Sequence, residues 1–228
     1  MKNSFVKTAG IFSILFVVVF IFSFILYSAA GVEEDPGEIG AYLQNVNNNS
    51  LYIGGYWVFV PGFLFLIPVF LGFYQVFREG GGILWVAVAM TLIGVTILMV
   101  SQVISLGLVL QLAPGYAEAS ASNKPALEMM AKALLETTVW ADSIGLFLSL
   151  GIGALLVSIG VLKTNAIGHW IGWAGVVIGC LVSITNPLYP VFGFSSLFFT
   201  IVYSVAFILT FPWFAIMGVL LLRLKEPA

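Results

Sequence analysis

The sequence predicts an all-α transmembrane bundle of six spanning helices, with both termini in the cytoplasm, and three observations predict it. Of 228 residues, 61% are hydrophobic and only 8% charged, against roughly 25% charge in soluble domains. The apolar residues fall into six continuous runs, each close to or above the about 20 residues a helix needs to cross hydrocarbon about 30 Å thick. Basic residues gather on alternate connections, as the positive-inside rule requires. A water-soluble core of this size would lack the polar surface to cover it, and a mean hydropathy of +1.12 agrees. Barrel strands alternate over about ten residues and do not give such runs.

The first run, residues 9–30, follows Lys2 and Lys7 and ends in Ser28-Ala29-Ala30. It is longer than the about 7–15-residue core of a signal peptide, so it reads as an uncleaved helix. Residues 31–50 are polar and acidic, with Glu33, Glu34, Asp35 and Glu38, and end in the glycosylation sequon Asn48-Asn49-Ser50. The second run, 51–77, holds Pro61 and Pro68. Each removes a backbone donor and bends its helix, which makes both candidate hinges. Arg78 to Gly82 reads as a tight glycine turn.

The third run, 82–112, carries Ser101, Gln102, Ser105 and Gln111. The longest polar connection follows, 113–136. Within it Pro125 suits a first helical position, and Glu128, Lys132 and Glu136 recur at i, i+4, predicting a surface helix that runs into the fourth span, 137–162. That span contains the one charged residue inside any run, Asp142. A short turn at 163–166 leads to the fifth run, 167–185, which Asn186-Pro187-Leu188-Tyr189-Pro190 is expected to close as a rigid turn. The sixth, 194–222, holds a third candidate hinge, Pro212. With the N-terminus inside, Lys2, Lys7, Arg78, Lys163, Arg223 and Lys225 are cytoplasmic, and only Lys124 and Lys132 lie outside.

Lipid offers little hydrophobic drive for helix association, so small residues mark packing faces. Gly168, Gly172, Gly175 and Gly179 share one face of the fifth run. Gly145, Ser149 and Gly153 recur every four residues on the fourth, and the two faces are expected to pack together.

The chemistry available is narrow. Net charge is −2 without a basic block, which removes a nucleic-acid partner. A single cysteine, Cys180, and a single histidine, His169, remove internal disulfides, bis-histidine haem and clustered metal centres. No cofactor and no metal are expected. Gly80–Gly82 lacks the Lys-Ser/Thr of a phosphate loop. A charge inside a membrane faces the bundle interior or water, so Asp142 is the first candidate. It lies roughly 8 Å inside its helix. Gln102, Gln111 and Asn186 belong to the same half of the bundle and would join it in an outward-facing polar pocket, with Glu136 nearer water. Glu136 shares a face with Trp140 and Ser143 while Asp142 points elsewhere, so the two carboxylates are not an acid/base pair. The plainer alternative is hydrogen bonding between helices at about 1 kcal/mol each.

Val161-Leu162-Lys163, followed by Gly168-His169-Trp170-Ile171-Gly172-Trp173-Ala174-Gly175, gives a short turn entering a glycine-striped helix. In this rhythm and in the six-run layout the chain resembles a broad family of small prokaryotic integral membrane proteins catalogued as a domain of unknown function. Members often carry proline near the start of that helix, where this chain has His169. The resemblance implies a six-helix membrane fold and no established activity.

The expectation is a non-enzymatic multi-pass protein of the cytoplasmic membrane. The lipid bilayer is its first partner, and it binds a lipid or small apolar molecule, a partner subunit or a second copy of itself. A small transporter or channel using Asp142 is the alternative. An intramembrane enzyme with Glu136 or Asp142 as acid/base ranks last, because nucleophiles and ligands are few.

Overall fold

The computed structural model describes residues 2–32, 37–164, 166–192 and 196–224. Glu33, Glu34, Asp35, Lys225 and the expected start of the sixth span at 194 lie outside them. Among the described residues there are seven helices and no strand: α1 (Lys2–Ala30), α2 (Ile39–Val46), α3 (Ser50–Phe77), α4 (Ile83–Glu118), α5 (Lys124–Leu162), α6 (His169–Phe192) and α7 (Leu197–Arg223). All but α2 are long and apolar enough to cross a membrane.

The six long helices form a closed ring in chain order. Each packs on its sequence neighbours, and α7 returns to α1. Phenylalanine fills the middle: Phe16, Phe20, Phe63, Phe70, Phe73, Phe77 and Phe214 are fully buried, with ring centroids 4.5 to 6.3 Å apart along the chain of contacts. Such rings supply large contact area and favour tilted or edge-on pairs.

Several elements differ from their sequence reading. The short helix α2 was not expected. Its buried Ile39, Tyr42, Leu43 and Val46 make one apolar face, which packs on the end of α4 and the start of α5 and caps that end of the bundle. The surface helix after Asn123 and the fourth span are one continuous α5, as expected. The expected turn at 186–190 is instead helix, since α6 runs on through Pro187 and Pro190 to Phe192. Membrane helices tolerate proline where side chains re-satisfy the backbone. The carbonyls that Pro187 and Pro190 free are those of Ser183 and Asn186; one turn earlier, Thr185 Oγ1 donates to Leu181 O at 2.8 Å and Asn186 Nδ2 to Val182 O at 3.0 Å. Pro61 and Pro68 lie within α3 and Pro212 within α7, and neither helix ends there.

The two small-residue faces do not meet, and this corrects the sequence reading. They lie on different sides of α5. A Cβ at Gly172 would meet Leu162 and Val161, one at Gly175 would meet Ser158 and Trp213, and one at Gly179 would meet the Leu155 backbone. The stripe of α5 faces other helices: Gly145 lies on Gly94 and Leu98 of α4, and Gly153 on Thr91 and Phe70. Ser149 belongs to the same α4 contact, against Gly94. Gly168 precedes the first residue of α6 and takes no part in the helix face.

Candidate functional site

The α4–α5 crossing sets the site's dimensions. A Cβ on Gly94 would meet Gly145 O at 2.6 Å and Ser149 N at 2.9 Å, so the backbones touch without intervening side chains. Ser149 Oγ donates to Gly145 O at 2.7 Å. About two turns along α4, Ser101 Oγ donates across to Thr138 O of α5 at 3.3 Å. Held this close, Gln102 of α4 reaches Asp142 of α5. Its Nε2 donates to Asp142 Oδ1 at 3.5 Å, the long limit of a hydrogen bond. Gln102 is only 2% exposed, and its Oε1 is buried with no hydrogen-bond partner.

Among the described residues, Gln102 and Asp142 line a cavity of about 280 Å³ together with Phe24, Tyr27, Val32, Tyr52, Tyr56 and Phe59. The aromatic walls come from α1 and α3. Tyr27, Tyr52 and Tyr56 form a triangle with every centroid separation 5.3 Å and interplanar angles of 73° to 88°. Phe59 joins Tyr27 at 6.2 Å and Phe24 at 6.2 Å.

Local structure fixes this triangle. Asn49 Oδ1 accepts from Tyr52 N at 3.1 Å and caps α3, while its Nδ2 donates to Ala30 O at 3.2 Å, joining the end of α1 to the start of α3. Ser23 Oγ donates to Gly55 O at 2.9 Å between Tyr52 and Tyr56. Tyr42 of α2 sets its hydroxyl 3.3 Å from that of Tyr52. Beyond it, Tyr116 Oη donates to Glu128 Oε1 at 2.5 Å and so links α4 to α5 beneath α2.

The structure thus brings Gln102 and Asp142 together but not the other predicted pocket residues. Gln111 and Glu136 are exposed and absent from the cavity walls. Asn186 is 1% exposed with a buried, unpartnered Oδ1, yet it also lies outside those walls. Sequence reasoning missed the aromatic walls. Tyr52, Tyr56 and Phe59 at i, i+4, i+7 do share a helix face, but aromatic residues near a span's end read first as membrane-interface anchors.

A second hollow of about 930 Å³ opens between α1 and α7 and is almost wholly apolar, lined by Ile21, Phe24, Ile25, Tyr203, Phe207 and Phe211 among others. Phe24 is common to both hollows. Among the described residues no group of three or more His, Cys, Asp or Glu side chains is placed to hold a metal.

No curated protein and no solved structure matches the chain. A family model described as a domain of unknown function (DUF4386) matches residues 8–224, and the chain therefore belongs to that family of multi-pass membrane proteins.

Proposed function

We propose that this protein is a non-enzymatic binding protein of the cytoplasmic membrane, and that its ligand is a small, largely apolar molecule with one polar end. The observation that carries this reading is the cavity in which Gln102 and Asp142 face Tyr27, Tyr52 and Tyr56. Ligand sites are typically concave and mostly apolar, with a few placed polar groups that fix orientation. At about 280 Å³ the hollow sits just below the about 300–1,000 Å³ of drug-sized pockets, which points to a small ligand. The packed phenylalanines beyond it favour a closed binding site over a conducting path. With the basic residues arranged as the positive-inside rule asks, the N-terminus is cytoplasmic and the cavity lies in the outer half of the bundle.

The test is thermal unfolding of the detergent-purified chain against small amphiphiles with neutral, anionic and cationic head groups. At least one class should raise the unfolding midpoint, and the rise should vanish in Tyr56→Ala. A panel that shifts wild type and variant equally, or shifts neither, refutes the proposal.

A further inference from the structure

We infer that the hollow between α1 and α7 holds one acyl chain of an outer-leaflet membrane lipid, with the chain's ester carbonyl at Ser28 and Ser204. The inference goes beyond the ligand-binding reading above and does not depend on it, because it concerns a different hollow.

The two helices converge at one end and part at the other. Toward the cytoplasmic end a Cβ on Gly10 would meet Gly218 O at 2.8 Å, and Ser13 Oγ donates to Phe214 O at 2.6 Å. From there the antiparallel pair runs outward, with ring centroids 5.8 Å apart for Phe20 and Phe211 and 6.0 Å apart for Phe24 and Phe207. Neither residues 21–29 of α1 nor residues 203–212 of α7 include a glycine. Backbones that meet on glycine are there held apart by phenylalanine and isoleucine, and the gap is the hollow of about 930 Å³.

Length and surroundings point to the occupant. Tyr203 and Pro212 mark the ends of the α7 wall, and the helix between them rises about 14 Å. That is close to half of a hydrocarbon layer about 30 Å thick, so the hollow is about one leaflet deep. Ile25 and Ile208 line it and are each more than half exposed, and within a span what they are exposed to is lipid. A partner helix would dock through small residues repeated along its path. Inward of Ser28 and Ser204 the walls are isoleucine, phenylalanine and proline, which suit a flexible chain instead.

The polar groups sit at one end. Carrying the register of Phe24 and Phe207 one turn further out brings Ser28 opposite Tyr203 and Ser204, and all three line the hollow. Ser28 lies in the last turn of α1 and Ser204 about two turns inside the start of α7. Elsewhere in the bundle Ser13, Ser23, Ser149 and Ser158 each donate to a carbonyl, because a hydroxyl kept from water needs an acceptor. The hydroxyls of Ser28 and Ser204 donate to no described residue. An acyl ester places a carbonyl where head group meets hydrocarbon and so offers both hydroxyls an acceptor. An ether-linked chain would fill the hollow and leave them unpaired.

The experiment is photolabelling of the full chain in phosphatidylcholine vesicles that contain a phosphatidylcholine with a diazirine on its acyl chain, followed by mass spectrometry of the labelled residues. Val100 of α4 and Ile184 of α6 are the controls, since they lie in the same half of the bundle and match Ile25 and Ile208 in exposure. Label at Ile25 and Ile208 should exceed label at the controls at least fivefold. The ether-linked analogue should lower the excess at least threefold, and Ser28→Ala combined with Ser204→Ala should bring the ester lipid down to the same level. The wild-type comparison needs no variant and stands even if the double variant fails to fold. Label spread in proportion to exposure would overturn the chain site. Label weaker in the hollow than at the controls would also overturn it, and would mean that protein covers this face. Equal labelling by ester and ether lipids would overturn the role given to the two serines. Tyr56→Ala should leave the pattern unchanged, so a hollow that labels in a chain no amphiphile stabilises would sink the cavity reading and keep this one.

Discussion

Replacing Gly94 by alanine tests whether the α4–α5 crossing is held at backbone contact. The added methyl would sit 2.6 Å from Gly145 O, 2.9 Å from Ser149 N and 3.0 Å from Ser149 Cβ. An unstrained contact needs about 3.5 Å, so the helices must part by up to about 0.9 Å. Two of the three atoms are backbone and cannot rotate aside. The contact is also reciprocal, since a Cβ on Gly145 would meet Gly94 O at 2.9 Å. Overpacking of this kind costs about 1–3 kcal/mol, while alanine regains about 0.8–1.0 kcal/mol of helix propensity over glycine. With backbone as the obstacle the upper part of the range applies, and the net loss is about 1–2 kcal/mol. At about 2–4 °C per kcal/mol for a chain this long, the unfolding midpoint should fall by several degrees. Gly107→Ala is the matched control: it lies in the same helix with nothing within 4 Å of its Cβ, so it should hold or raise the midpoint. The assay is thermal unfolding of each purified variant in one detergent. A Gly94→Ala protein as stable as wild type would refute the claim that these backbones touch.

Other expectations follow from single bonds. Trp213 Nε1 donates to Ile171 O at 3.0 Å between α7 and α6, so Trp213→Phe should lower stability by about 1 kcal/mol, read as a lower unfolding midpoint. Asn49→Ala removes both the α3 cap and the tie to Ala30 O; a cap alone contributes about 1 kcal/mol, and proteolysis of the α1–α3 connection should quicken. For orientation, in a Cys180→Ser background, an impermeant maleimide applied to intact cells should label Ser122→Cys and spare Glu79→Cys. Both positions are exposed and lie at opposite ends of the bundle. The reverse pattern would invert the topology.

The spans were legible because membrane insertion is decided by runs of apolar residues, which a sequence displays directly. The run from Leu51 and the run ending at Leu222 need no tertiary information. Helix α2 was missed although Ile39, Tyr42, Leu43 and Val46 have amphipathic spacing, because eight residues beside an acidic stretch are too short to stand out. The extension of α6 through Pro187 and Pro190 was illegible for another reason. Those prolines signal a turn in water, whereas a helix within a membrane bundle carries proline without ending, as α6 does. The site was half legible. Asp142 is conspicuous as a charge within a run, and Gln102 is one of few polar residues near it. Which of the remaining polar side chains join them depends on helix rotation, which no local pattern fixes. Gln111, Glu136 and Asn186 share the right half of the bundle but not the right face. The π-helical stretches Leu108–Leu112 and Phe147–Gly153, which rotate the residues beyond them, carry no sequence signal of their own.

The ring's last joint has a consequence for how the chain is made. Gly10 and Gly218 let α1 and α7 cross at backbone distance, and there Ser13 Oγ donates to Phe214 O at 2.6 Å. Those partners are 201 residues apart. A ribosome adding about 5–20 residues per second delivers Phe214 on the order of 10–40 s after Ser13. Once α3 is in place, and until α7 arrives, the newborn first helix has α3 on one flank and only lipid on the other. Closure of the circle is therefore a late event in biogenesis, and a stalled or truncated polypeptide lacking its final helix would present that unsealed flank to whatever quality-control protease patrols the membrane.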